Sequence, residues 1–457
     1  MAITNESTIA RRLRPLAAAI ATLCAASADA AGAIHAKTPI TLQTPANCND
    51  SGPGSLRDAI ANAVDGALID MTHLACSQIS LTTGALTFTQ SSLTLTGPGR
   101  GALALDGNFT NSVIVHNGGS YGQLQINDLS IVNGFQDRLN EDVDALGGCV
   151  RSNSRVSLQR VDISNCKVSA SGTYNALGGG VFAKFGVFMS RSSISSAVCF
   201  AQGSGYANGA GAYTQGRINM AYSEVSQNAA FSNTSGHNFG GGAFARGDAF
   251  IQYSSIFGNS AGVGGGLEFE GSADKRVTIM NSTISGNIAE RVGGINSSAT
   301  LDISNSTLAF NQSSFWRDNA GHHFAAGLHI TSNGVINSTI ISNNVNSGSP
   351  FSSLDATAPA AVSLSGASNN VMFCQDVTCP NDTTHEDPSL RPLQDNGGPT
   401  KTHRPTPGLW DRNQGSNSRL LKWDQRGVGF PRVSAGDPIE IGALQTNSGI
   451  IFTNGFN

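Results

Sequence analysis

Glu268 and Glu270 stand out among the side chains that could do chemistry. On a strand, residues two apart face the same way, about 7 Å from each other. Glycoside hydrolysis needs two carboxyl groups about 5–9.5 Å apart across one bond. Both glutamates follow a glycine cluster that recurs along the chain. The second residue after each cluster reads Phe182, Tyr213, Phe244, Glu268, Asn296 and His329. The fourth reads Lys184, Gln215, Arg246, Glu270, Ser298 and Thr331. An aromatic stripe that leads to two glutamates, flanked by Arg246 and His329, has the makings of a polysaccharide groove. Aromatic faces stack on sugar rings, and charged ends orient or act. The same residues also read as an aromatic ladder that covers itself, with a salt bridge between Arg246 and a glutamate.

Other chemistry is sparse. One long loop carries Phe315, Trp316, His322, His323 and Phe324, with Trp316 a further candidate for ligand contact. Adjacent histidines rarely share one metal ion, and the spacing from Cys374 to Cys379 has no second pair to complete a zinc site. No metal and no cofactor is expected. The Asn-Thr-Asp, Asp-Asp and Gly-His-Gly motifs of polygalacturonases are absent, as is any acidic cluster suited to a calcium-dependent lyase.

What must position these residues is a repeat. Taking Ile284 as reference, its equivalents are Ile131, Ile163, Ile194, Val225, Ile256, Leu308 and Ile340, in steps of 32, 31, 31, 31, 28, 24 and 32 residues. Five residues earlier the chain is apolar, from Leu158 through Ile279 and Ile303 to Val335. Two earlier it is mostly serine, and three later it reads Asn228, Asn259, Asn287, Asn311 and Asn343. Like residues at a fixed place in each repeat mean that like stacks on like, at the strand spacing of about 4.8 Å. Apolar positions alternate with period two, so the rungs are strands and not helices. The repeats are too short for the four strands of a propeller blade. The reading predicts an all-β right-handed parallel β-helix.

Composition supports this. Charged residues make up 13% of the chain, and there are 54 glycines, many at corners that need positive φ. The net charge of −4 and the lack of a basic stretch exclude nucleic acid as an expected partner. Residues 1–30 read as a secretory signal: Arg11, Arg12 and Arg14, a short apolar run, then Ala28-Asp29-Ala30. No transmembrane segment is expected in the mature chain. An exported chain can form disulfides. Cys48 with Cys76 and Cys374 with Cys379 are the local pairs. Cys166 and Cys199 are read as neighbours on adjacent rungs, which would leave Cys149 a buried free thiol.

The domain reading follows the chain. Residues 31–45 form a linker. Residues 46–128 form an N-terminal cap, with a helix around Leu56 and Ile60, and irregular first rungs. Residues 129–345 are regular rungs, 346–445 a C-terminal module closing the last rung, and 446–457 a tail. Insertions at 167–177, 198–208, 229–239 and 312–325 leave from one corner and should gather on one edge.

The repeat Phe257-Gly258-Asn259 with Gly264-Gly265-Gly266-Leu267 resembles those of polymorphic outer-membrane proteins and related bacterial right-handed β-helix proteins. Gly54-Ser55-Leu56-Arg57-Asp58-Ala59-Ile60 is similar to the CSLREA-type segment of exported proteins, without its cysteine. Asp395-Asn396-Gly397-Gly398-Pro399-Thr400, Asp424-Gln425-Arg426-Gly427 and Ile439-Glu440-Ile441-Gly442-Ala443 resemble the region called choice-of-anchor Q, which departs here at Leu409-Trp410-Asp411-Arg412. The tail resembles short Phe-x-Asp-Gly-Phe ends. The resemblance implies a secreted or surface location and names no reaction. The expectation is an extracellular or cell-surface protein that binds or adheres without catalysis, with a glycan or another surface as partner. The alternatives are a polysaccharide lyase or glycoside hydrolase acting at Glu268 and Glu270, and a purely structural surface rod.

Overall fold

The computed structural model describes residues 41–446, apart from 235–236, 316, 351–353, 372, 407–413 and 433–438. The signal-like segment, most of the linker, Trp316, the Leu409–Arg412 departure and the tail lie outside the described residues.

The chain forms a parallel β-solenoid of about nine turns. One rung shows the plan. The strand Arg217–Ala221 turns at Tyr222 into Glu224–Ser226, then passes a corner at Asn228 into Ala229–Ser232. A loop leads to Asn238–Phe239, the glycines, and the strand Ala243–Ala245. Each strand pairs in parallel with its counterparts one rung before and one rung after. The pairing also runs past residue 345, as far as Thr383–Thr384. Inward side chains of all rungs merge into one core, from Leu56 to Leu364.

Three corners close each rung, and the first two use a left-handed residue. One is the position three before the reference: Asp128, Arg160, Arg191, Tyr222, Tyr253, Asn281, Asn305 and Ser338 all have positive φ. The second is two after it, with Asn165, Ser196, Gln227, Gly258, Gly286, Phe310 and Asn343. The third is the glycine cluster, where the absence of a side chain is required. A Cβ on Gly242 would lie 2.4 Å from the Gly266 carbonyl oxygen of the next rung.

Buried ladders satisfy the corners. Each asparagine of the set Asn228, Asn259, Asn287 and Asn311 donates Nδ2–H to Oδ1 of the next, at 2.8–2.9 Å, and the run ends at Asn344 and Asp355. The serine positions do the same with backbone donors: Ser192, Ser223, Ser254 and Ser282 each donate N–H to the hydroxyl of the next rung.

The register corrects the last rung. Leu308 pairs with Ile341, not Ile340, so that step is 33 residues, and Ile303 pairs with Ile336, not Val335. A one-residue slip moves every side chain to the other face. Accordingly Ile336 is fully buried while Val335 is 38% exposed, and the ladder asparagine is Asn344.

The disulfides need a second correction. Cys48–Cys76 and Cys374–Cys379 form as expected, but Cys149 bonds Cys166 and Cys199 is the free thiol. Cys199 stacks on Val168, two positions beyond Cys166, so it cannot face it. Cys166 takes the asparagine-ladder position of its rung, and Cys149 follows the glycines across the same corner, with Cα atoms 5.4 Å apart.

The N-terminal helix is Leu56–Ala61. Ser55 caps it by accepting the Asp58 N–H at 3.1 Å, and Asp58 accepts from Gly54, the residue before the cap, at 2.8 Å. Leu56, Ala59 and Ile60 turn into the core. Among the described residues no helix is long and apolar enough to cross a membrane.

Residues 356–384 continue the coil. Beyond them the chain is irregular, and its described parts from Thr400 on run along the flank over the first left-handed corner. The reason is polar. Corner residues leave backbone and side-chain groups facing out, and the C-terminal chain satisfies them. Gln425 donates to the Ser254 carbonyl and accepts from the Thr283 hydroxyl. Arg432, fully buried, donates to Asn281 Oδ1 and to the carbonyls of Gly442 and Ala443. Asn305 and Ser338 both hold Ser416.

Candidate functional site

The expected groove residues do stack in one line: Phe182 on Tyr213, Phe244, Glu268, Asn296 and His329. The rings of Phe182 and Tyr213 lie 5.5 Å apart and those of Tyr213 and Phe244 5.1 Å apart, within 8° of parallel. They point out of the main core, as read from the sequence, yet they are covered. Leu177 packs on them with Leu146 and Phe239 from the loop side, and they form their own small apolar cluster. Phe244 is 1% exposed.

Glu268 is 4% exposed. One oxygen accepts from Asn296 Nδ2 at 2.8 Å and the other has no hydrogen-bond partner. Burial pushes its carboxyl up to about 8. A proton-bearing carboxyl suits a general acid, but this one faces its stack and not solvent. Glu270 is exposed and paired with Arg246 at 2.8 Å, the salt bridge of the second sequence reading.

His329 ends the line in a separate cavity of about 640 Å³ with His322, His323, Phe324 and Asp376. Burial drives His329 down to about 4, and its Nδ1 meets the Thr357 hydroxyl at 2.8 Å. His323 is paired with Asp376, and His322 with Asp318. Among the described residues no group of three or more His, Cys, Asp or Glu side chains could hold a metal ion.

A cleft of about 870 Å³, larger than the His329 cavity, lies elsewhere, where the first left-handed corner emerges from under the C-terminal chain. Two outward lines run side by side there. One is the corner itself: Arg160, Arg191, Tyr222. The other is the position just before the reference: Asp162, Ser193, Glu224, which pair in register. Further along, both lines are covered, at Asn281 and Asn305 in the first and at Thr283 and Thr307 in the second. The edge of the covering chain supplies Pro399, Arg426 and Phe430 as the opposite wall.

Contacts fix this cleft. Tyr222 stacks on Tyr253 with centroids 4.6 Å apart and planes 4° apart. The Arg191 guanidinium lies 5.7 Å from the Tyr222 ring centre. Arg100 reaches in from an earlier loop, donating to the Arg191 carbonyl at 3.1 Å and touching Asp162 at 3.4 Å. Ser193 donates to Asp162 at 2.8 Å. Glu224 accepts the Lys401 N–H at 3.0 Å, and its carboxyl is raised by burial against that bond. Arg426 is clasped by Asp424 and stacks on Phe430 at 4.0 Å.

The corner also changes residue type where it becomes open. Asparagine and serine, which tolerate left-handed φ, fill it under the C-terminal chain at Asn281, Asn305 and Ser338, after Tyr253, whose carbonyl accepts from Thr400. Arginine and tyrosine fill it in the cleft, at φ of 51° to 54°. Bulky residues rarely adopt that conformation, and such outliers gather at functional sites. The sequence reading missed this line because its residues are not of one type. The signal was there, three residues before each reference position.

The chain matches no family model, no curated protein and no solved structure. The functional reading therefore rests on the geometry of the cleft.

Proposed function

We propose that this is an exported protein that holds a glycan at the cell surface or outside the cell without cleaving it, and that the corner cleft is its binding site. The observation that carries the reading is the uncovered end of the corner line, where Arg191 and Tyr222 face solvent beside Ser193 and Glu224. Tyr222, held between Tyr253 and the Arg191 guanidinium, presents a rigid edge, and the hydroxyl and carboxyl groups of Ser193 and Glu224 beside it match sugar hydroxyls. The three disulfides support an oxidising compartment. The first groove candidates argue against catalysis there, since Glu268 is enclosed and Glu270 is engaged by Arg246.

The test is a glycan array probed with the purified chain, followed by product analysis on every glycan retained. The expected result is retention with no new reducing ends and no unsaturated products, lost in Tyr222→Asn. Absence of binding to any glycan defeats the proposal.

One observation favours a second reading, hydrolysis in the same cleft. The backbones of Asp162 and Glu224 stand two strand spacings apart, about 9.6 Å, just beyond the carboxyl separation of about 6.5–9.5 Å that inverting glycosidases use. Reducing ends that vanish in Glu224→Gln would establish it.

A further inference from the structure

We infer that the glycan held in the corner cleft is anionic, with carboxylate or sulfate groups on its sugar rings, and that Arg191 and Arg100 are the residues that select it. This rests on the cleft being the glycan site.

The argument turns on which cations are already engaged. Arg160 is held by Asp128, with Nη2 2.6 Å from Oδ2, and Arg426 by Asp424 at the same distance. Arg191 has no carboxylate partner among the described residues; its guanidinium is placed by the Tyr222 ring alone. A guanidinium resting on an aromatic face keeps its donor edge free and pre-aimed. Arg100 is anchored to the Arg191 carbonyl, so both cations sit on one rung. Its contact with Asp162 is 3.4 Å long, and both side chains are 40% or more exposed. An exposed pair of that kind contributes little and yields readily to a better partner.

The nearby acids have other partners. Asp162 is shared between Arg100 and the Ser193 hydroxyl. Glu224 is engaged by the Lys401 N–H at 3.0 Å. An oxyanion brought to this rung meets two fork-shaped donors suited to bidentate contact, beside the edge of the Tyr222 ring. A neutral sugar would bring neither guanidinium an oxyanion.

Affinity electrophoresis tests this, with the purified chain run through gels carrying polygalacturonate, dextran sulfate or neutral dextran. The expected result is retardation by at least one anionic polymer, weakened by raised salt, with none by dextran. The polymer that retards names the oxyanion. Arg191→Asn keeps a residue at ease with left-handed φ, so the fold should persist with an unchanged melting temperature. It should weaken binding about tenfold, the equivalent of one charge-assisted contact. Arg246→Asn, an exposed cation on another face, should change nothing. Equal retardation of the native chain and Arg191→Asn overturns the inference. So does retention of neutral glycans alone, and that result would leave the proposed function standing. No retention of any glycan removes both.

Discussion

Asn259 donates its side-chain N–H to Oδ1 of Asn287 at 2.9 Å, and Asn287 repeats the bond to Asn311. Asn259 also accepts the backbone and side-chain N–H groups of Asn228 and donates to the Val225 carbonyl. Replacing it by alanine strands buried donors on Asn228 and a buried acceptor on Val225. Asn259→Ala should therefore cost about 2–4 kcal/mol, read from the urea midpoint. A loss below about 0.5 kcal/mol would mean that the ladder adds nothing to stability.

Arg432 ties the C-terminal chain to the flank through Asn281, and burial lowers its guanidinium to about 10. Arg432→Ala leaves three oxygens without that donor. The C-terminal chain should loosen by about 3 kcal/mol or more while the coil stays folded. Limited proteolysis reads this as early cleavage between residues 414 and 446. Cleavage no faster than in the native chain would show that docking does not depend on this side chain.

Glu268 carries a stability change with pH. Its folded-state value of about 8 lies above the ordinary 4.5, so its contribution is whole below pH 4.5 and is lost as pH rises through 8. The loss is on the order of 3–5 kcal/mol. Glu268→Gln should raise the melting temperature at pH 9 and leave it nearly unchanged at pH 4. An equal effect at both pH values refutes the assignment.

His329 acts in the opposite direction. Its folded value of about 4 lies below 6.5, so its contribution is whole above pH 6.5 and disappears as pH falls toward 4, by about 3 kcal/mol. His403, buried with Nε2 2.7 Å from the Ser285 hydroxyl, is shifted the same way by burial. The melting temperature should fall between pH 6.5 and 4, and His329→Gln should flatten part of that fall. An unchanged slope in the variant would exclude His329 as a source.

The Cys149–Cys166 bridge closes 17 residues, which corresponds to about 3 kcal/mol. The double replacement by alanine should lower stability by about that much. Cys199→Ala removes a thiol that burial pushes up to about 12, so alkylation of the folded chain should not detect it. Rapid labelling of Cys199 in the folded protein would contradict its burial.

Much of the coil was legible because its markers are chemically distinct. Ile284, Ser282, Asn287 and the glycines each repeat one type, and the register holds from Ile131 to Leu308. The last rung slipped because every marker there is doubled: Val335 beside Ile336, Ser338 beside Thr339, Ile340 beside Ile341, Asn343 beside Asn344. Either register satisfies the pattern, and only the strand pairing separates them. The Cys166 assignment failed similarly, by treating neighbouring rungs as enough when the side chains must share a position.

The site was less legible. Alternation correctly pointed Phe182, Tyr213 and Phe244 away from the main core, but it cannot report what the loops bring over them. Leu177 and Phe239 cover that face from outside the repeat. Arg191 and Tyr222 went unread for the opposite reason. They share a backbone conformation, not a residue type, and the wall opposite them comes from residues more than 170 positions later, such as Pro399 and Arg426.

Rung lengths vary from 24 to 33 residues, yet the pairing is unbroken, since most of the difference is absorbed between the asparagine ladder and the glycines. Asn287 reaches Gly294 in seven residues, whereas Asn311 needs sixteen to reach Gly327. That corner is thus a natural place for grafting. A peptide spliced between Ala289 and Val292 would hang from the coil while the stacked turns on either side keep their partners, so this chain offers a scaffold whose displayed segments can be exchanged one turn at a time.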